Sequence, residues 1–475
     1  MRSVSVVSLV DFPTRADRAR RARVTPVPRT PQPAPFRTFQ LRNLDAVPGI
    51  DRLSAEQRRD IEVVARVLPF KTNSYVCEQL IDWDAVPDDP MFQLTFPQRG
   101  MLAPDAYDQV DRLIRANAGA EEMGAAVRDI QRRLNPHPAG QADANVPIQD
   151  GRPVPGMQHK YRETVLFFPT QGQTCHAYCT FCFRWPQFVD LDNLRFATKE
   201  VDALVSYLRA NPEVTDVLFT GGDPLIMRTE VLRRYIEPLL SPEFEGLRIR
   251  LGTKAPAYWP NRFTDGPDAD ALLRLFDEVA ASGQHLALMA HLTHDRELST
   301  PVAEEAMRRI VATGAVVRCQ APLVRHVNDD ADALATLWRR EVDLGAVPYY
   351  MFVVRDTGAR RYFEVPIARA LDLYTEAFGR MSGLGRTVRG PIMSAHPGKV
   401  AIEGVVEVHG EKAFVCKMMQ SRDPGLANGI FFAEYAEEAT WFDQLRPAMG
   451  SDPGWFPHLA SSGRTNGAGR ITVDL

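Results

Sequence analysis

A chain of 475 residues with 45% hydrophobic and 24% charged content has the make-up of a globular protein, long enough for one large domain with additions. Its 56 basic and 60 acidic residues leave a net charge of −4, which gives no electrostatic reason to expect nucleic acid or a membrane surface as partner. Six cysteines in this length exclude a disulfide framework, and no run approaches the roughly 20 apolar residues of a membrane-crossing helix, so a reducing, cytoplasmic setting is expected.

Residues 1–45 are rich in Arg and Pro, poor in acids and without the apolar core of a secretory signal. They predict a disordered tail, with a targeting or partner-binding arm as the sharper alternative. Residues 46–157 read as a helical region. Ser54 carries an N-cap signature, and apolar residues recur at helical spacing from Tyr107 to Leu134 until Asn135-Pro-His-Pro stops them. A polar, Pro/Gly-bearing connector follows.

From residue 158 the period changes. Six short apolar runs are fit for buried strands: Val165-Leu-Phe-Phe-Pro, Val217-Leu-Phe-Thr, Ile249-Arg-Leu-Gly, Leu286-Ala-Leu-Met-Ala, Ala315-Val-Val-Arg-Cys-Gln and Tyr349-Tyr-Met-Phe-Val-Val. Helical stretches near 198–210, 229–240, 268–282, 300–313 and 331–344 separate them. Such alternation predicts an α/β fold, a partial (β/α)6 barrel over 158–385, with a parallel sheet inside and helices outside. A further helix near 366–380 leads towards residues 386–475, which predict hairpin material between Val400 and Met418 and a loose tail from about Gly450.

Chemistry in parallel barrels sits on the loops after the C-terminal strand ends. Cys175, Cys179 and Cys182 follow the first strand; Gly221, Gly222 and Asp223 follow the second; Gly252-Thr-Lys follows the third. His291 and His294 follow the fourth, Gln320 ends the fifth, and Arg355 and Asp356 follow the sixth. All six sets would share one rim.

The cysteines are spaced C-x3-C-x2-C. A cubane cluster normally takes four thiolates, so three on one tight loop leave one iron open to another ligand. A structural zinc would want four ligands, usually in paired knuckles, and no second knuckle is present. The spacing is the signature of the radical S-adenosylmethionine (SAM) enzymes. Cys77, Cys319 and Cys416 lie apart and read as buried thiols. Gly221-Gly222 would let backbone approach a ligand, with Asp223 beside its amino group; a tight turn is the plainer account. His291 and His294 read either as adenine contacts or as ordinary core or helix-start histidines. Arg184, two residues past the last cysteine, suits an anion or a structural ion pair. Lysine is scarce, and Lys399 lies in the turn-rich Ser394-Ala-His-Pro-Gly-Lys-Val. That context suits a lysine forming a covalent bond to a carbonyl, or an exposed turn lysine.

Together these residues resemble the lysine 2,3-aminomutase family from about Ile81 to about Pro447. The resemblance rests on Asp82-Trp-Asp-Ala-Val-Pro-Asp-Asp-Pro, His159-Lys-Tyr-Arg, the cysteine motif with Arg184 and Thr220-Gly-Gly-Asp-Pro-Leu. Arg325-His-Val-Asn-Asp, Pro348-Tyr-Tyr and Pro-Gly-Lys complete it. It implies an isomerase that moves an α-amino group to the β-carbon, with a 4Fe-4S cluster, SAM and pyridoxal 5′-phosphate (PLP) as cofactors. The cluster would sit on Cys175, Cys179 and Cys182, and PLP on Lys399. Tyr161, Gln320 and Lys160 (where the family has arginine) would lie around PLP, and Arg184 would pair with the substrate carboxylate. An electron donor such as flavodoxin or ferredoxin is implied, and homo-oligomers are common in the family.

The departures bear on substrate. Two aspartates that hold the lysine ammonium in lysine-specific members align here with Arg355 and Ser394. Lysine therefore looks a poor substrate and an acidic amino acid a better one, although a shift of one residue would return Asp356 to the pocket. The family's C-terminal zinc cysteines are missing, so no structural zinc is expected. The alternative is a radical SAM enzyme on the same barrel with another reaction or without PLP.

Overall fold

The computed structural model describes residues 36–137, 145–189, 191 and 197–458. The expected tail over 1–35, part of the 135–157 connector and the end of the C-terminal tail lie outside these residues. The chain divides into Met1–Phe36 and Arg37–Leu475, and every secondary-structure element described belongs to the second unit.

Order begins before the expected boundary at residue 45, because Thr38–Phe39 pairs antiparallel with Thr72–Asn73. Ser54 caps the helix Ala55–Val64 with a reciprocal pair: its hydroxyl accepts from Gln57 N at 3.1 Å, and Gln57 Oε1 accepts from Ser54 N at 2.8 Å. The long helical pattern resolves into two helices, Pro104–Arg115 and Ala120–Leu134, separated where Asn117 adopts a left-handed φ of 48°.

The centre is one sheet. Six parallel strands run in sequence order: β1 Thr164–Phe167, β2 Asp216–Phe219, β3 Arg248–Thr253, β4 His285–His291, β5 Val316–Leu323 and β6 Val347–Val353. Helices Val201–Ala210, Thr229–Ile236, Ala269–Ala281, Pro301–Ala312 and Ala331–Asp343 connect them. This is the expected partial (β/α) barrel, with one addition. After the helix Ile367–Gly379, Arg389–Ser394 forms a seventh parallel strand, β7, beside β6. Its Arg-Gly-Pro opening reads as a turn in sequence, and only pairing with β6 makes it a strand. Three antiparallel strands continue the sheet: β8 Gly398–Val408, β9 Glu411–Ser421 and β10 Ile430–Glu434. At the other edge Met157–Tyr161 pairs antiparallel with β1.

The strands alternate as a two-faced sheet requires. Val217, Phe219, Ile249, Leu251, Leu288 and Val317 are fully buried in the main core. Alternate positions on the same strands carry Asp216, Arg250 and Arg318. A second core of Met393, Val400, Ile402, Phe414, Met418 and Phe431 holds β7 to β10 together. Phe456 packs into it, so the chain remains structured beyond Gly450. Cys77, Cys319 and Cys416 are buried thiols, and all six cysteines are free. Among the described residues no helix is long and apolar enough to cross a membrane.

Candidate active site

The cysteine loop leaves β1 through the turn Thr170–Gly172, and Cys182 N and Trp185 N close successive turns on Cys179 O and Cys182 O at 3.1 Å each. Two neighbours clamp it. From the N-terminal region, Lys71 Nζ donates to Cys175 O at 2.7 Å and Thr174 Oγ1 at 3.2 Å, and Lys71 O and Leu94 O accept from Tyr178 N and Thr180 N. From the loop after β2, the backbone of Gly222 and Asp223 donates to Gly172 O and Thr174 O. A Cβ on Gly222 would lie 2.4 Å from Thr174 O, so this glycine is required by the contact between the two loops.

The Asp223 carboxylate is taken up by the fold. It accepts from Thr253 Oγ1, Lys254 N and Leu225 N at 2.8–2.9 Å, and His176 lies 3.8 Å away. These donors hold its pKa low against its burial. The Asp223 carboxylate thus braces the loops after β2 and β3.

His291 stacks on Phe181 of the cysteine loop, ring centroids 5.8 Å apart, and burial with Lys254 nearby pushes its pKa down to about 3, so it is neutral. His294 instead caps the short turn Asp295–Leu298, accepting from Arg296 N at 3.2 Å.

Across the barrel, Lys399 is the second residue of β8, opposite Ser394 of β7. The turn-rich segment runs into a strand that begins at Gly398, two residues before the expected hairpin start at Val400. The lysine's glycine neighbour is there for packing: a Cβ on Gly398 would sit 1.9 Å from Gln420 O of β9. Lys399 Nζ lies over Tyr350 at 4.8 Å and Tyr161 at 5.7 Å, with no hydrogen bond or ion pair among the described residues. Burial, then Arg250 and Arg389, lower its pKa to about 7. Lys160 Nζ donates to Ala395 O at 2.7 Å, and burial together with Arg422, Arg355 and Lys399 lowers its pKa to about 7 as well. The buried Tyr161 hydroxyl makes no well-formed hydrogen bond, although Ser394 favours its ionised form; burial pushes its pKa up to about 12. Gln320 lies between His291 of β4 and Tyr350 of β6 in the sheet register.

Arg355 and Asp356 pair with each other but differ in their other neighbours. Arg355 lies over Phe183 at 5.6 Å and Trp441 at 5.5 Å and acts electrostatically on Arg184, Lys160 and Tyr161. Asp356 is buried, 3.6 Å from Arg355 Nε and 3.5 Å from His137. Arg184 stacks over Phe168 at 4.7 Å and Phe183 at 5.1 Å without a carboxylate partner among the described residues. Its burial and the nearby Arg355 bring its pKa down to about 10.

Sequence reading missed Arg389 and Arg318. Arg389 lies over Tyr349 at 4.5 Å and Tyr350 at 4.3 Å, and Arg318 over Tyr349 at 5.1 Å. Arg250 pairs with Asp216 at 2.9 Å. The available signal was alternation: a strand that places arginine where its neighbours place the inner face of a barrel. The region around Lys399 is thus rich in cations and poor in acids, an arrangement that suits anions.

Three thiols on one loop are the residues that would hold a cluster. One tetrahedral zinc would draw sulfurs to about 3.8 Å of each other, whereas a cubane takes each thiolate on its own iron. All three are partly exposed, and Cys179 and Cys182 both push the Cys175 thiol up beyond the effect of its burial.

No protein-family model matches the chain. It is 32% identical over 396 residues to a protein of Aquifex aeolicus (strain VF5) provisionally named L-lysine 2,3-aminomutase, covering 83% of this chain and 92% of that one. It is 26% identical over 347 residues to the L-lysine 2,3-aminomutase of Bacillus subtilis (strain 168), covering 73% of this chain and 63% of that one. Among solved structures, a radical SAM methyltransferase from Sphaerobacter thermophilus is 19% identical over 49% of this chain and 68% of its own, at a TM-score of 0.36.

Proposed function

The chain belongs to the L-lysine 2,3-aminomutase family, and on that premise we propose that it is a radical SAM, PLP-dependent aminomutase whose substrate is a free amino acid with an acidic side chain. The observation that carries the substrate class is a pair of neighbouring guanidinium groups: Arg355, over Phe183 and Trp441 and paired with Asp356, and Arg184, without a carboxylate partner among the described residues. Two guanidinium groups walled by Phe168, Phe183 and Trp441 suit two carboxylates, and a lysine ammonium there would meet like charge.

Cys175, Cys179 and Cys182 would hold the cluster, with the Gly221-Gly222 backbone and neutral His291 beside the SAM that completes it. PLP would attach at Lys399, flanked by Tyr161 and Gln320, its phosphate facing Arg250, Arg318 and Arg389. When bound, cluster and SAM supply a hydrogen-abstracting radical, and PLP supplies a conjugated carbonyl that carries the amino nitrogen. The protein's own part is positional. Lys399 Nζ sheds its proton near neutral pH and is nucleophilic without a separate base. Arg184 and Arg355 fix both ends of a dicarboxylate, which orients its β-carbon. The aromatic walls exclude water and strengthen each charge contact.

The test is anaerobic purification and incubation with SAM, dithionite and single amino acids, with chromatography for β-amino products. Glutamate or aspartate is expected to turn over, and Arg355→Met to lower kcat/KM for it by about 30-fold to 1,000-fold, the loss of one desolvated charge pair. Lysine as the preferred substrate would overturn the substrate assignment. A protein without PLP would overturn the aminomutase reading and leave a radical SAM enzyme of another reaction.

A further inference from the structure

The cysteine loop has a third neighbour, which no motif marks. The short helix Ala255–Tyr258 follows β3, and the Tyr258 hydroxyl lies 3.4 Å from Cys179 Sγ. We propose that Tyr258 is a positioning residue for the electron-transfer step: its O–H donates to the Cys179 sulfur and raises the reduction potential of the cluster. The inference rests on the cluster assignment above.

In a free thiol either atom could donate. A sulfur bound to iron has no proton, so the phenol must. The side chain has no freedom to turn away: Tyr258 is 1% exposed, its N–H donates to Lys254 O at 2.9 Å, and its carbonyl accepts from Asn73 Nδ2 at 3.0 Å. Asn73 also donates to His176 O at 3.2 Å, which ties the tyrosine's backbone to the cysteine loop itself.

A nearby ammonium acts on the same sulfur: Lys254 Nζ lies over the Tyr258 ring at 4.7 Å and is paired with Glu297 at 2.5 Å. Removing the Tyr258 hydroxyl leaves that pair in place, so the variants below read the hydrogen bond's own share. Reduction adds one electron from an external donor and makes the cluster more negative, with no bond broken and the proton remaining on the tyrosine oxygen. A donor to sulfur stabilises the reduced form more than the oxidised one.

The experiment is a redox titration of the anaerobically reconstituted full chain, read by low-temperature EPR of the reduced cluster. Tyr258→Phe is expected to bind wild-type amounts of iron and sulfide. At the wild-type midpoint its reduced-to-oxidised ratio should fall by roughly threefold to tenfold, the differential worth of one hydrogen bond to a charged sulfur. Tyr258→Leu, which also lacks the hydroxyl, should shift the same way if Phe loads poorly. An unchanged midpoint in a loaded variant overturns the inference and leaves the cluster reading intact. Failure of both variants to hold iron makes Tyr258 a structural support and overturns the redox role. A wild-type chain that binds no cluster removes both readings.

Discussion

Lys399 is the residue at which fold and function pull apart. An amine held among Arg250, Arg389 and two tyrosine rings loses affinity for its proton, so the folded chain binds fewer protons there than the unfolded chain between pH 7 and the usual lysine range. The penalty is full below pH 7 and fades as pH rises towards 10. Lys399→Met should therefore stabilise the cofactor-free protein, with a rise in melting temperature that is largest at or below pH 7 and shrinks by pH 10. A parent and variant whose difference stays flat across that range would remove the depressed amine. The same titration predicts that PLP uptake, followed by borohydride reduction and mass of the Lys399 peptide, climbs with pH through about 7. Arg355 and Asp356 show a different limit. A sequence cannot say how two neighbours at a strand end divide their contacts, because one residue of register reverses the face; in the fold Arg355 packs against Phe183 and Trp441, and Asp356 is buried beside it.

Among the elements, β7 and β8 do the work that the barrel's first six strands leave undone. β7 brings Arg389, and β8 brings Lys399, to the open side of the sheet. Gly398 permits this by lying against Gln420 O, where a side chain has no room. Gly398→Ala should force β8 from β9, cost about 1–3 kcal/mol in urea unfolding and reduce PLP attachment in proportion; wild-type stability and attachment would show that the strands separate freely. Arg389→Gln should weaken retention of PLP by about tenfold to 100-fold and leave retention of pyridoxal, which lacks the phosphate, unchanged. The six strand–helix units and the Ser54 cap were legible because each is written in local periodicity or capping chemistry. β7 was not, since Arg-Gly-Pro has no strand character until β6 supplies its partner.

On the scale of the molecule, the N-terminal region is part of the site. Thr72–Asn73 pairs with Thr38–Phe39, and Lys71 and Asn73 reach from there to Cys175, His176 and Tyr258. Asn73→Ala removes three buried hydrogen bonds, to His176 O and Tyr258 O and from Val76 N, and should lower stability by about 2–3 kcal/mol and iron per chain with it, measured by unfolding and metal analysis. Unchanged iron binding would confine the brace to the fold. The sequence by itself determined the alternating barrel, the cysteine loop after its first strand and the presence of Arg184 and a Pro-Gly-Lys segment, because these follow from period, spacing and residue chemistry. Only the tertiary structure decided that Asp223 accepts from Thr253 and Lys254, that Arg355 lies over Phe183 and Trp441, and that Tyr258 meets Cys179. Those contacts join residues tens of positions apart, and their geometry exists only once packing has fixed which face of each element is inside.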